Sequence, residues 1–226
     1  MVVYMSYNVV GRNDLAGLGQ LLVKFKPDYI FMQEVMATKE RIEANLGRHY
    51  KCQVNTDPEN PDQPGTAVAW RVGIKVEVVP VVTCRIQKLR SEHGVFLNLY
   101  PHTGTKGEAA RRVLFSQDLM GLISVEREAV LAGDWNCIVR KEDEECQPRY
   151  SRKISPDLQQ LVRDARYVDL YCKFNPGKVH FTWKRQGVNK SRLDRVYYPE
   201  NGFIFQFIGS FMVVNNLTIQ SFGRMR

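Results

Sequence analysis

Gly133-Asp134-Trp135-Asn136 follows directly on the apolar run Ala129-Val130-Leu131-Ala132. The run reads as a buried strand. A strand that ends in glycine and then delivers a carboxylate and an amide two residues apart points both groups to the same side. There a carboxylate can bind or orient while an amide donates, which suits a metal-bound oxyanion. Short Gly-Asp-x-Asn segments also occur in ordinary turns, so the stretch takes its meaning from the rest of the chain.

Three further segments share the design of an apolar run that meets a carboxylate or an amide. Asn8 ends a β-branched strand over residues 2–9, and Gln33-Glu34 ends Tyr29-Ile30-Phe31-Met32. Asp194 interrupts a strand within Ser191-Arg192-Leu193-Asp194-Arg195-Val196-Tyr197. Each alone reads as exposed loop polarity. Together they call for a use, because buried strands do not repeatedly end in ionisable or amide groups at no cost.

Between these strands the pattern alternates with helices. Asp14 is placed to cap a helix carrying Leu15, Leu18, Leu21 and Leu22 on one face, which Pro27-Asp28 ends. Residues 37–46 and 107–125 read as helices, and 66–70, 75–82 and 95–100 as strands. Ser155-Pro156-Asp157 starts another helix, with a capping hydroxyl, a proline at the first helical position and an acid in the first turn. Residues 180–183, 193–197 and 203–214 are again strand-like. Residues 55–64 and 140–151 read as surface loops, the charged run in the second as a solvated surface. The pattern predicts an α/β fold with two packed sheets covered by helices, but no strand order.

The chain has 226 residues, 44% of them hydrophobic, enough for one substantial core. With no linker, repeat or low-complexity block, residues 1–226 read as a single domain. The net charge of +8 and pI near 9.3 favour polyanionic partners. Five scattered cysteines without a Cys-x-x-Cys pair argue against a disulfide framework and a structural zinc site, and for a reducing compartment. The start of the chain lacks a signal-peptide pattern, and no apolar run approaches the ~20 residues of a membrane span. Asn216-Leu217-Thr218 matches a glycosylation acceptor by chance in a chain read as intracellular.

Ser6-Tyr7-Asn8-Val9, Gln33-Glu34, Asn98-Leu99-Tyr100-Pro101, Gly133-Asp134-Trp135-Asn136, His180-Phe181-Thr182-Trp183 and Ser191-Arg192-Leu193-Asp194-Arg195 occur in this order. The series resembles the exonuclease–endonuclease–phosphatase superfamily of apurinic endonucleases and the DNase I group. Within it, the passage from Val168-Asp169-Leu170 through Phe181-Thr182-Trp183 is most similar to the endonuclease domain of non-LTR (LINE-type) retrotransposons.

The resemblance implies a four-layered α/β sandwich, two mixed β-sheets flanked by helices, and a Mg2+-dependent DNA endonuclease, with Mn2+ as the other candidate metal. Glu34 would hold the metal and Asn8 would help to place it or the phosphate. Tyr100 would donate to a phosphate oxygen, with a packed core tyrosine as an equal alternative. Asp134 would orient or activate water, and Asn136 would donate to the charge developing on phosphorus. Thr182 and Ser191 would contact the phosphate backbone, and Arg192 would bind DNA beside them. Asp194 would orient a histidine of a terminal Ser-Asp-His signature.

No histidine or aspartate follows Asp194. The expectation is therefore a domain lacking the final Ser-Asp-His strand, with reduced activity, since losing a general acid/base costs about 10²–10⁴-fold. Of the four histidines only His102 is a conceivable stand-in, and it reads first as a surface residue. Val10 stands where some members carry a polar ligand, which implies looser metal binding.

The segment 184–191 suits a hairpin. Its Arg185, Asn189 and Lys190 are candidates to probe double-stranded DNA, with an ordinary polar hairpin as the equal alternative. The leading expectation is nicking of one strand to leave a 3′-hydroxyl for target-primed reverse transcription. The enzyme would be a monomeric domain of a larger polyprotein with reverse transcriptase, nuclear after cytoplasmic synthesis. The alternatives are another phosphoesterase of the superfamily, acting on abasic DNA or an RNA 3′ end, and an inert DNA-binding module.

Overall fold

A computed structural model describes residues 2–11, 15–60, 62–79, 81, 83–147, 151–185, 189–201, 209–215 and 218–221. Of residues 10, 11, 16, 185, 209–215 and 218–221 it describes the backbone alone. The cap expected at Asp14 lies outside these residues.

The first sheet has six strands: β1 (Val2–Gly11), β2 (Tyr29–Val35), β3 (Tyr50–Asn55), β4 (Gly65–Arg71), β14 (Gly209–Asn215) and β15 (Thr218–Ser221). Their order is β15-β14-β1-β2-β4-β3, with β1 parallel to both β2 and β14 and the other pairs antiparallel. The second sheet contains β5 (Val76–Val79), β6 (Ile86–Ser91), β7 (Gly94–Leu99), β8 (Val130–Asp134), β10 (Tyr167–Asp169) and β13 (Asp194–Pro199). It runs β10-β13-β8-β7-β6-β5, with only β7 and β8 parallel. A small third sheet joins β11 (Trp183–Arg185), β12 (Asn189–Ser191) and β9 (Glu144–Glu145).

Helices α1 (Leu15–Phe25) and α2 (Lys39–Leu46) cover the first sheet. The second is covered by Leu114–Leu119, which follows α3 (Glu108–Val113), and by α4 (Met120–Val125) and α5 (Pro156–Asp164). The short α6 (Leu170–Phe174) packs Leu170 into the inter-sheet core. The fold is thus the expected sandwich of two mixed sheets flanked by helices. The helix foreseen over 107–125 is continuous, but Leu114–Leu119 is π-helical between α3 and α4. Ser155 caps α5 as the sequence indicates, its hydroxyl accepting from Leu158 N at 3.3 Å. Among the described residues no helix is long and apolar enough to cross a membrane.

Period-two alternation builds the layers. Tyr4, Tyr29, Phe31, Phe96, Val130, Ala132 and Val196 meet between the sheets. Their neighbours Met5, Ile30 and Met32 face the helices of the first sheet, and Leu97, Leu131 and Tyr197 those of the second. The inward rows then turn polar at one end: Ser6 and Asn8 on β1, Gln33 on β2, Asn98 on β7, Asp134 on β8 and Asp194 on β13.

Several elements differ from the sequence reading. Strands β3 and β6 were not anticipated, because their polar residues hide the alternation. Gln87 and Lys88 are nonetheless buried in β6. Residues 180–182 are irregular, since the Thr182 hydroxyl accepts from Leu193 N (2.9 Å) and Asp194 N (3.0 Å) and holds the chain off the ladder. Residues 80, 82 and 203–208, read as strand, lie outside the described residues. The solvated reading of 140–151 is corrected at Asp143, which is fully buried at the end of a 3-10 turn.

Gly133 has φ +149, and a Cβ built there would lie 2.0 Å from the Leu99 carbonyl oxygen of the parallel neighbour. No side chain fits without separating β7 from β8. Gly133→Ala is expected to destabilise the protein by about 3 kcal/mol or more in urea titrations. In helix α4, Gly121→Ala meets nothing within 4 Å and is expected to stabilise by about 0.5–1 kcal/mol.

Candidate active site

The polar ends of the inward rows converge where the two sheets separate. Beneath them lies a buried layer of amides. Gln33 Nε2 donates to Asn98 Oδ1 at 2.8 Å, joining the sheets, and also meets Ser6 Oγ and Phe31 O. Asn98 Nδ2 donates to Met32 O (2.9 Å) and Ala67 O (3.0 Å).

Glu34 reaches the site through a bulge. Its φ of 58° is rare for a residue with a long side chain. Gln33 pairs with Thr66 and Val35 with the adjacent Gly65, so Glu34 is an extra residue on β2. Gln33 faces inward while Val35, two positions on, returns to the helix-side core. A regular strand would have sent Glu34 to the helix side with Ile30 and Met32.

Asp134 accepts from Asn8 Nδ2 at 3.0 Å through Oδ2 and from Asn136 N at 2.9 Å through Oδ1. Asn136 adopts φ 53°, which asparagine tolerates better than most residues, and its Nδ2 donates to Pro101 O at 2.8 Å. The Asn8 side chain also hydrogen-bonds Glu34, so one amide organises both carboxylates. Burial raises the Glu34 pKa, and the charge of Asp134 adds to it. Asp134 is likewise raised by burial, against the pull of Asn136 N and Asn8. Tyr100 is buried with its hydroxyl against Asn136, and burial followed by the charges of Glu34 and Asp134 pushes its pKa up.

Asp194 lies opposite Asp134 in the β13–β8 register. It is buried, and its Oδ1 has no hydrogen-bond partner among the described residues. Burial, then the nearby Asp134 charge, raises its pKa well above the ordinary 3.8.

The structure thus gathers Asn8, Glu34, Tyr100, Asp134, Asn136 and Asp194 in one place. The residues expected to face DNA are placed differently. Arg192 is 1% exposed and turned inward, with Nη2 2.6 Å from Asp169 and its guanidinium over the Tyr171 ring. Its expected DNA contact is therefore corrected to a structural ion pair. Thr182 is buried, and its hydroxyl oxygen accepts the backbone bonds that fix Leu193 and Asp194. Asn189 is also buried, its Oδ1 accepting from Gln147 N at 3.2 Å.

Lys190 pairs with Glu145 at 3.1 Å. Arg185 pairs with Asn189 at the loop end of the hairpin, and its side chain lies outside the described residues. Ser191 and Asn189 line a recess of about 340 Å³ together with Asn136, Arg152 and Trp183. Arg152 stacks over the Trp183 ring at 4.9 Å, and its charge reaches Asp134. Sequence reasoning missed Arg152, which had no motif to mark it.

Among the described residues no histidine hydrogen-bonds Asp194. His93 meets Tyr29 at 2.7 Å, and His180 packs by Tyr171. His102 is half-buried, and burial, Arg85 and Arg111 lower its pKa.

A carboxyl whose folded pKa is raised stabilises the fold below its unfolded pKa, and that contribution is lost as pH rises through the folded value. Asp194 therefore weakens the metal-free protein above about pH 4. Asp194→Asn is expected to raise the melting temperature at pH 7, with the gain shrinking towards pH 4. A gain independent of pH would contradict the buried charge.

The sequence matches the Endonuclease/Exonuclease/phosphatase family over residues 5–216. No curated protein sequence matches it significantly. Among solved structures, a 3′ phosphatase from Neisseria bound to a product DNA hairpin superposes with a TM-score of 0.68 at 18% identity, covering 87% of this chain and 86% of the other. An apurinic (AP) endonuclease from Leishmania major gives 0.67 at 15% identity, covering 87% and 78%. The endonuclease domain of TRAS1, a telomere-specific non-LTR retrotransposon, gives 0.62 at 14% identity, covering 87% and 84%. At these identities the likeness is one of fold; the match spanning nearly the whole sequence places this chain in the Endonuclease/Exonuclease/phosphatase family.

Proposed function

We propose that the chain is a divalent-metal-dependent DNA endonuclease that nicks one strand and leaves a 3′-hydroxyl for target-primed reverse transcription. The observation that carries this reading is the hydrogen-bonded array Glu34–Asn8–Asp134–Asn136 beside the Tyr100 hydroxyl. Burial raises the pKa of half-buried Glu34 and of buried Asp134, and the Asp134 charge raises Glu34 further, which favours a cation beside them. Their oxygen donors suit Mg2+ or Mn2+ rather than a soft metal. Among the described residues no three His, Cys, Asp or Glu side chains cluster as a ready metal cage. That fits a cation held by Glu34 and Asn8 and completed by water and substrate phosphate.

Such a cation would neutralise charge developing on the phosphate. Asp134, aimed by two donors, retains lone pairs to orient an attacking water. The Tyr100 hydroxyl and the Asn136 side chain sit together to face the phosphate oxygens. The +8 charge favours a polyanion, and the hairpin of β11 and β12 stands beside the recess at Asn136. Reverse transcriptase in the same polyprotein and nuclear action belong to this proposal.

The unpartnered Asp194 Oδ1 favours a second reading, a DNA-binding module with little turnover. Supercoiled plasmid and Mg2+ separate the two. The endonuclease reading predicts open-circular product, with Asp134→Ala slower by about 10²–10⁴-fold. Salt-dependent binding without nicking would support the inert module. Cleavage confined to abasic or 3′-phosphorylated DNA would move the substrate to another phosphoesterase class.

A further inference from the structure

Arg85 enters β6 from a turn that is fixed on all sides. Its N–H donates to Thr83 Oγ1 at 3.1 Å, and its carbonyl accepts from Tyr100 N at 2.9 Å. Asn55 Nδ2 donates to Thr83 O (3.1 Å) and Ile86 O (3.0 Å), while Thr66 Oγ1 donates to Cys84 O (3.3 Å). The side chain is 6% exposed, and its guanidinium lies 5.1 Å from the centre of the Tyr100 ring.

Among the described residues no carboxylate pairs with Arg85, and its buried Nε has no hydrogen-bond partner. The other buried arginines are committed: Arg192 to Asp169, and Arg195 to Asp143 and Asp169. A buried guanidinium without an anion is unfavourable, and a ring face offsets only part of that. The ring in question belongs to Tyr100, whose hydroxyl meets Asn136 and senses Glu34 and Asp134. The unpaired cation therefore borders the candidate active site. A strand composition that reads as polar surface conceals it in the sequence.

We propose that Arg85 is a substrate-binding residue whose guanidinium takes a non-bridging oxygen of a DNA backbone phosphate, an inference that rests on the phosphodiester-cleaving reading of this site. The planar fork on a fixed backbone suits phosphate better than an ammonium would. The missing anion is then supplied by the substrate, and the free protein carries the cation in advance.

The test compares the full chain with Arg85→Gln and Arg85→Lys. Binding of a short labelled DNA duplex is measured in Ca2+, between about 50 and 200 mM salt. Arg85→Gln is expected to bind about tenfold more weakly at low salt, with a log–log salt slope shallower by about one. Arg85→Lys is expected to keep the slope and lose part of the affinity. The melting temperature of Arg85→Gln should equal or exceed that of the wild type, because an unpaired buried charge has been removed. An unchanged slope, or an Arg85→Gln protein that melts far lower or fails to fold, overturns the proposal in favour of a packing role. Plasmid nicking is assayed in parallel. Wild-type binding without nicking would remove the endonuclease reading and leave Arg85 standing. Wild-type failure to bind duplex would remove both.

Discussion

The site depends on one buried hydrogen bond, Gln33 Nε2 to Asn98 Oδ1 at 2.8 Å. Gln33 belongs to the first sheet and Asn98 to the second, and both are fully buried. Below this bond the sheets are held by rings and aliphatic chains, an interaction without direction. The amides add direction, because Asn98 must also reach the carbonyls of Met32 and Ala67. Each such bond contributes only about 1 kcal/mol net, but leaving a buried partner unmet costs about 1–3 kcal/mol. One relative placement of the sheets meets all of these groups. It is also the placement that brings Asn8 and Glu34 of one sheet to Asp134 of the other.

A second constraint fixes the far side of the site. Asp143 Oδ2 accepts from Val139 N (3.1 Å), Arg140 N (3.0 Å) and Arg195 Nη2 (2.8 Å). Its carbonyl accepts from Arg192 N at 2.8 Å. Arg192 and Arg195 bracket Asp194, and both also reach Asp169, which caps α6. The two arginines therefore clamp the backbone of Asp194 between paired acids. The same loop continues into β9, which pairs with β12 and so carries the hairpin. Burial of this network costs desolvation. Its ion pairs to Asp143 and Asp169 offset that cost, while the Nε atoms of Arg192 and Arg195 have no hydrogen-bond partner among the described residues.

Much of the fold was legible in the sequence. The apolar runs of β1, β2 and β8 and the capped start of α5 announced themselves, and the polar residues ending those runs marked Asn8, Glu34, Asp134 and Asn136. Residues were harder to read where tertiary contacts override local pattern. Asp143 sits in a charged run typical of solvated surface and is buried only because Arg195, far along the chain, meets it. Arg192 has the composition of a phosphate contact, yet the acids around it claim its charge. Arg85 lies in the turn that enters β6, a strand whose Gln and Lys hide its periodicity. The bulge that aims Glu34 has no local signature, since glutamate is a poor candidate for positive φ.

The central claim of the proposed function is that the sheet-to-sheet amide bridge and the Glu34 bulge together create one divalent-cation site at Glu34 and Asn8, beside Asp134. Electron paramagnetic resonance titration of Mn2+ into the DNA-free protein tests it most directly. The account predicts one bound Mn2+ per chain, competed by Mg2+ and lost in Glu34→Gln with the fold intact. Mn2+ binding that is unchanged by Glu34→Gln would contradict it.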